Sequence, residues 1–184
     1  MGWPVLVFGR AAWALLIERF AGYPDALFQR ISHPVVWIGR LISELDKSLN
    51  KQGVSPQEGR LRGAVAVAIL VVVAFVPAWL LSRFLAHLPL GWLAEALMAT
   101  SLVAQKSLRD HVLAVYEGLG RSLAEGREKV SMIVGRDPAQ LDEAGVSKAA
   151  LESLAENASD GIVAPLLWYA LLGLPGIAVY KAIN

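Results

Sequence analysis

Apolar and polar positions fall in long blocks along this chain, not in the strict alternation of half-buried strands. Residues 63–81 hold no charged or strongly polar side chain, and with Ser82 the run reaches the twenty or so residues that cross about 30 Å of hydrocarbon. Eleven of them are Val, Ile, Leu or Phe. At about −0.3 to −0.6 kcal/mol each, they predict a transmembrane helix despite Pro77. Residues 90–104 form a second candidate, interrupted by Glu95 and a Thr100–Ser101 step. An ionised Glu95 deep in lipid would cost a few kcal/mol, so it is expected near an interface or facing other helices. The third candidate, residues 161–180, is charge-free but punctuated by Pro165 and by G-L-P-G at Gly173 to Gly176, which suits a kinked or re-entrant segment. Residues 3–20 form a fourth, barely long enough to span. With no basic start and no clear cleavage site, this segment reads as retained.

The polar blocks orient these candidates. Residues 21–62 carry six Lys and Arg and residues 105–160 carry seven, whereas the connection at 82–89 has only Arg83. Under the positive-inside rule both long segments are cytoplasmic, which predicts a multi-pass protein of the cytoplasmic (inner) membrane. Within the first, Gly22 to Asp25 marks a turn and Ser32-His33-Pro34 opens a helix. On it Ile38, Leu41, Ile42, Leu45 and Leu49 form an apolar arc opposite His33, Trp37, Arg40 and Glu44. Residues 47–60 read as a loop returning to the membrane. The second segment predicts helices over 106–119 and 122–134, the latter capped at Gly135. A turn follows at Arg136 to Pro138, and then a third helix. The expected fold is all-α: a polytopic integral membrane protein with cytoplasmic amphipathic helices.

Composition agrees. Of 184 residues, 55% are hydrophobic, and the mean hydropathy of +0.49 exceeds what filling a soluble core requires. A net charge of +1 argues against a nucleic-acid binder. The absence of cysteine excludes disulfides, thiolate metal sites and cysteine nucleophiles.

Candidate chemistry concentrates where the last polar block meets the last apolar one. At about 100° per residue, Glu152, Glu156 and Asp160 share one narrow helix face, with Ser153 and Asn157 beside them. Such a face can be a solvated helix side, or it can bind Mg²⁺ through one or two carboxylates while the ion holds nucleotide phosphates. Arg136 suits a two-point clamp on phosphate or carboxylate, although Gly135-Arg136-Asp137 also fits a plain helix stop and turn. Likewise His33 and Arg40 could face an anionic group or simply water on an amphipathic helix. Lys181 follows an apolar run and suits snorkelling to the interface. No phosphate-binding glycine loop, dinucleotide fingerprint, H-E-x-x-H or G-x-S-x-G occurs.

Three blocks carry a family resemblance: H-P-V-V-W-I-G-R-L-I at His33 to Ile42, V-G-R-D at Val134 to Asp137, and A-E-N-A-S-D-G-I-V-A-P-L-L-W at Ala155 to Trp168, with G-L-P-G and Y-K-A-I-N after it. Together they resemble the CobD/CbiB family of membrane-bound adenosylcobinamide-phosphate synthases in cobalamin biosynthesis. The resemblance implies an ATP-dependent amide ligation that joins a propionate of adenosylcobyric acid to aminopropanol or its phosphate, with ATP and Mg²⁺ as cofactors. It implies that Glu152, Glu156 and Asp160 hold Mg²⁺ or position the amine, and that Asn157 orients a substrate oxygen. Arg136 with Asp137, Lys181, Arg40 and His33 would then meet phosphates or the propionate, with Glu156, Asn157, Asp160 and Lys181 nearest the chemistry. A homo-oligomer or association with other cobalamin-pathway enzymes would fit the same role.

Two departures stand beside it. The family opens on an acidic D-x-x-x-G-D-P pattern where this chain has Glu18 and G-Y-P at Gly22 to Pro24, and it continues past Y-K-A-I-N with further membrane helices. The chain is therefore expected to be an N-terminal part of a member and not competent alone. The competing reading is a non-catalytic membrane protein similar to AmpE-type signalling proteins, whose cytoplasmic segment binds a partner. The complete A-E-N-x-S-D-G block favours the enzyme, because a scaffold has no need of clustered carboxylates.

Overall fold

The computed structural model describes residues 3–21 and 34–184, and every regular element among them is helical. In chain order these are α1 (Trp3–Ala21), α2 (Pro34–Leu49), α3 (Pro56–Leu85), α4 (Gly91–Thr100), α5 (Gln105–Arg121), α6 (Leu123–Val130), α7 (Glu143–Ala158), a π-helical turn (Ser159–Val163) and α8 (Ala164–Ile183). The all-α expectation therefore holds for these residues. The turn at Gly22 to Asp25 and His33 lie outside the described residues. The chain forms two compact units, Met1–Val103 with Pro165–Asn184, and Ala104–Ala164.

In the first unit α1 packs on α4, with Ala11, Ala14, Ala96 and Ala99 buried. Small side chains let the two backbones approach closely, which is how helices gain contact where apolar surface alone gives no driving force. The connection from α3 to α4 is tight. A Cβ on Gly91 would lie 1.8 Å from the Leu85 carbonyl oxygen, so only glycine fits there. The polar segment before α3 is shorter than expected: α2 persists to Leu49 and α3 starts at Pro56, leaving six connecting residues instead of a loop over 47–60. Ser55 explains the early start. Its hydroxyl accepts the Glu58 N–H at 3.2 Å, Pro56 opens the first turn, and Glu58 pairs with Arg62 at 2.6 Å. Arg62 also donates to the Leu49 carbonyl at 3.4 Å, tying α3 to the end of α2.

Among the described residues, two helical runs are long and apolar enough to cross a membrane, Pro56–Leu85 and Glu143–Ile183. Within α3 only Ala78 and Leu85 are buried, whereas Val65, Val72, Phe75, Trp79 and Phe84 are all at least 41% exposed. α3 therefore carries a large uncovered apolar surface. The segment expected over 90–104 differs. Here α4 has ten residues, about 15 Å of rise, and ends where the Thr100 and Ser101 hydroxyls donate to the Leu97 and Met98 carbonyls at 2.6 and 2.7 Å.

The third apolar segment is broken where the G-L-P-G motif predicts. Gly173 adopts φ 67° and ψ −154°, a conformation that side chains with a Cβ strongly disfavour, and helix resumes after it. Pro175 sits in the first turn of the resumed helix, where its missing N–H costs nothing. At Gly176 a Cβ would come within 2.4 Å of the Trp168 carbonyl oxygen, so the close approach of the two halves depends on glycine.

In the second unit α5, α6 and α7 surround a core of Val115, Val130, Val146, Ala149 and Ala150, flanked by Leu119, Leu123, Ile133, Val134 and Leu141. The α5–α6 corner is sharp because Ser122 ends one helix and caps the next, accepting the Glu125 N–H at 3.1 Å. Gly118 and Gly126 allow the two helices to touch there, since a Cβ on either would press on Glu125 or Leu119. The helix expected over 122–134 stops at Val130. The Ser131 hydroxyl donates to the Glu128 carbonyl at 2.7 Å, and the chain tightens into a turn with Ile133 N–H on the Val130 carbonyl. The third helix expected in this segment begins at Glu143 behind an Asp142 cap that accepts the Gly145 N–H at 2.7 Å.

Candidate functional site

The candidate face rides on α7 and the π turn after it. Its anchor is Ser153, 5% exposed, whose hydroxyl donates to the Ile133 carbonyl at 2.6 Å. Asn157, one turn on, donates from its amide nitrogen to the Ser153 carbonyl at 2.9 Å and to its hydroxyl at 3.1 Å. The Ser153 bond fastens the turn over 131–136 against α7, and the Asn157 bonds hold its side chain along the helix. At the end of that turn Arg136 donates to Glu152 at 2.8 Å, and Lys148 stands 3.8 Å from the other Glu152 oxygen. Both members of the Arg136–Glu152 pair are more than half exposed, so the pair contributes about 0–1 kcal/mol and exchanges partners readily. Asp137 shapes the same turn, its side chain accepting the Ala139 N–H at 2.9 Å.

The π turn has a local cause. Pro165 has no N–H to give the Gly161 carbonyl four residues earlier, and its ring crowds that carbonyl. The backbone widens, with Ala164 N–H bonded five residues back to Ser159, and the Gly161 carbonyl instead accepts the Ala104 N–H at 3.0 Å. Wide turns of this kind recur at functional sites. This one displaces Asp160 from the regular spacing that joins Glu152 to Glu156.

The sequence-predicted residues therefore sort into groups. Arg136, Asp137, Glu152, Asn157 and the exposed Glu156 belong to one unit, as does the partly buried Asp160. Arg40, exposed on α2, and Lys181, partly buried on α8, belong to the other unit. His33 lies outside the described residues. Among the described residues no three acids or imidazoles gather as a metal-holding group. Glu152 to Asp160 is eight residues, about 12 Å of helix rise, and Glu152 is engaged by Arg136, so the three carboxylates do not converge on one ion. Glu156 and Asp160 remain suited to Mg²⁺, which takes one or two carboxylates and completes its shell with water and phosphate. Sequence reasoning placed Ser153 beside the face but missed that it holds the arginine turn. Its small polar side chain amid Ala149, Ala150 and Leu154 was the available signal.

The described residues are all-helical in their regular structure, with two membrane-length apolar runs and a polar helix face braced by an arginine-bearing turn. The chain belongs to the CobD/CbiB family: residues 11–184 match the family described as CobD/Cbib protein. It is 49% identical to the cobalamin biosynthesis protein CobD of a Sinorhizobium species over 175 residues, which is 94% of this chain and 54% of that protein. It is 52% identical to the CobD of Rhodobacter capsulatus over 180 residues, 93% of this chain and 54% of the relative, and 49% identical to that of Brucella suis over 173 residues, with 93% and 53% covered. The chain thus spans about half the length of these relatives. No solved structure matches it.

Proposed function

We propose that this chain forms part of an ATP-dependent ligase of cobalamin biosynthesis, joining a propionate of adenosylcobyric acid to aminopropanol or its phosphate. The observation that carries the reading is the bracing of Arg136 against the Glu152–Asn157 face through Ser153 and Ile133, which sets a cation beside carboxylates and an amide. In the reaction the propionate oxygen attacks the γ-phosphorus of ATP, ADP leaves, and an acyl phosphate forms. The amine then attacks the acyl carbon, the carbon–oxygen bond to phosphate breaks, and the amine proton passes to a base. Arg136 exchanges Glu152 for a phosphate or the propionate, Asn157 orients a substrate oxygen, and Glu156 or Asp160 accepts the amine proton. Glu156 and Asp160 are the residues that would hold Mg²⁺, which would supply neutralisation of charge on the transferred phosphoryl group. The family resemblance also assigns Lys181, Arg40 and His33 to phosphate or the propionate.

The uncovered apolar surface of α3 supports a membrane setting for this chemistry. With the Lys and Arg balance of the polar segments, the site faces the cytoplasm. The deciding experiment is complementation of a corrinoid auxotroph lacking the ligase. Growth on cobyric acid is expected with the parent chain in its full-length context and not with Arg136→Ala, while both grow on cobinamide, which bypasses the step. Growth of Arg136→Ala on cobyric acid at the parent rate, with equal membrane abundance, overturns the assignment.

A further inference from the structure

Glu95 is only 4% exposed, on a helix that is otherwise apolar, and the ligation reading gives it no part. Its Oε1 accepts the backbone N–H of Leu174 at 3.1 Å, across 79 residues of sequence. Leu174 is the first residue past the break at Gly173. A helix that restarts there begins with N–H groups that have no intrahelical acceptor, and Pro175 contributes none, so the Leu174 N–H is the first donor to need a partner. The positive end of the resumed helix also favours an anion at that point. The carboxylate lies directly against the break, since a Cβ on Gly173 would stand 3.1 Å from the same Oε1.

We propose that Glu95 is a positioning residue: by holding the Leu174 N–H it sets the direction of residues 174–183 and so the placement of Lys181. Only the consequence for Lys181 rests on the ligation reading; the hold on the half-helix does not. Regular helical dihedrals are interrupted at Gly173, so the direction of residues 174–183 is set by their buried packing and by the bond to Glu95 on the α4 side. Glutamine keeps an oxygen acceptor at the same reach. Alanine removes the acceptor, and aspartate shortens the side chain by one methylene.

The chain has no cysteine, so two introduced ones report without interference. Phe75 on α3 and Val179 on the half-helix line one cavity of about 500 Å³. Spin labels on Phe75→Cys and Val179→Cys, measured by pulsed electron resonance on the full chain in lipid nanodiscs, give the distance between the elements. A single narrow distribution is expected for the parent and for Glu95→Gln, and a shifted or broadened one for Glu95→Ala and Glu95→Asp. In corrinoid ligation Glu95→Ala is expected to lower kcat/KM by about a hundredfold, the scale of a misplacement near 1 Å. Glu95→Gln should recover most of that loss, and adding Lys181→Met to Glu95→Ala should cost little more, because the two act through one placement. Unchanged distances in both Glu95→Ala and Glu95→Asp overturn the proposal whatever the activity. Should neither variant accumulate, Glu95→Gln decides, and a distribution as broad as that of an unfolded segment overturns it. Distances that shift as expected, with a parent that fails to ligate even in its full-length context, sink the ligation reading and leave the positioning role standing.

Discussion

Ser153 donates its hydroxyl to the carbonyl of Ile133 at 2.6 Å, and this one bond joins the turn that ends in Arg136 to the helix that bears Glu152, Glu156 and Asn157. The pair lies beside the valine and alanine core of its unit, where an unmet carbonyl finds little water. Ser153→Ala should therefore destabilise the chain by about 1–3 kcal/mol, the cost of a buried polar group left without its partner. Denaturant unfolding of the full chain in mild detergent measures it. An unchanged midpoint would show that the turn is held by its apolar contacts alone.

Arg136 and Glu152 should behave in the opposite way. Their pair is exposed on both sides, so Arg136→Ala is expected to change stability by no more than about 1 kcal/mol. On the ligation reading its effect falls on substrate instead, and kcat/KM should drop by about a hundredfold for loss of a charge-assisted, two-point contact. Arg136→Lys should recover only part, because an ammonium cannot reproduce the planar fork. Steady-state kinetics beside thermal unfolding separates these outcomes. A loss of stability equal to the loss of activity would make Arg136 a structural residue.

Pro165 and the π turn form a third test. Pro165→Ala restores an N–H for the Gly161 carbonyl, which then competes with the Ala104 N–H that now bonds it. The wide turn should relax to regular α-helix and rotate Asp160 by up to about 100° relative to the residues after it. Amide hydrogen exchange at Ala104 should quicken by several-fold, in keeping with loss of a bond worth about 1 kcal/mol. Protection at Ala104 equal to the parent would show that Pro165 is not what opens the turn.

Much of this fold was legible because its signals are local. The charge-free run at 63–81 and the G-L-P-G break each depend on residues within a few positions, and the structure has the break. What failed also failed locally. Ser55 and Pro56 start α3 earlier than the apolar run suggests, and the hydroxyls of Thr100, Ser101 and Ser131 end two helices that apolar periodicity alone would extend. The site was half legible. Helical spacing placed Glu152, Glu156 and Asn157 on one face, but the reach of Ser153 to Ile133 and the bond from Ala104 to the Gly161 carbonyl depend on partners 20 or more residues away. The same limit hid the bond from Glu95 to Leu174. The sequence placed this lone carboxylate near an interface or facing other helices, and the structure has it buried against the half-helix after Gly173.

The two glycines of the break should differ in how they fail. Gly176→Ala puts a methyl within 2.4 Å of the Trp168 carbonyl oxygen and 2.6 Å of the Leu172 Cβ, neighbours that are backbone or near-backbone and cannot move alone. The two half-helices must separate, so the change should cost about 1–3 kcal/mol or more as overpacking. Gly173→Ala meets space on one side but forces a Cβ into the φ 67°, ψ −154° conformation and crowds Glu95, a strain of about 1–3 kcal/mol. Its cheapest escape is to let the backbone relax towards helix, which would take the Leu174 N–H away from Glu95. In the Phe75–Val179 distance measurement Gly173→Ala should therefore shift the distribution much as Glu95→Ala does, while Gly176→Ala should widen it about the parent value. If both alanines leave the distance and the unfolding midpoint unchanged, the G-L-P-G break is not the rigid joint that its geometry describes.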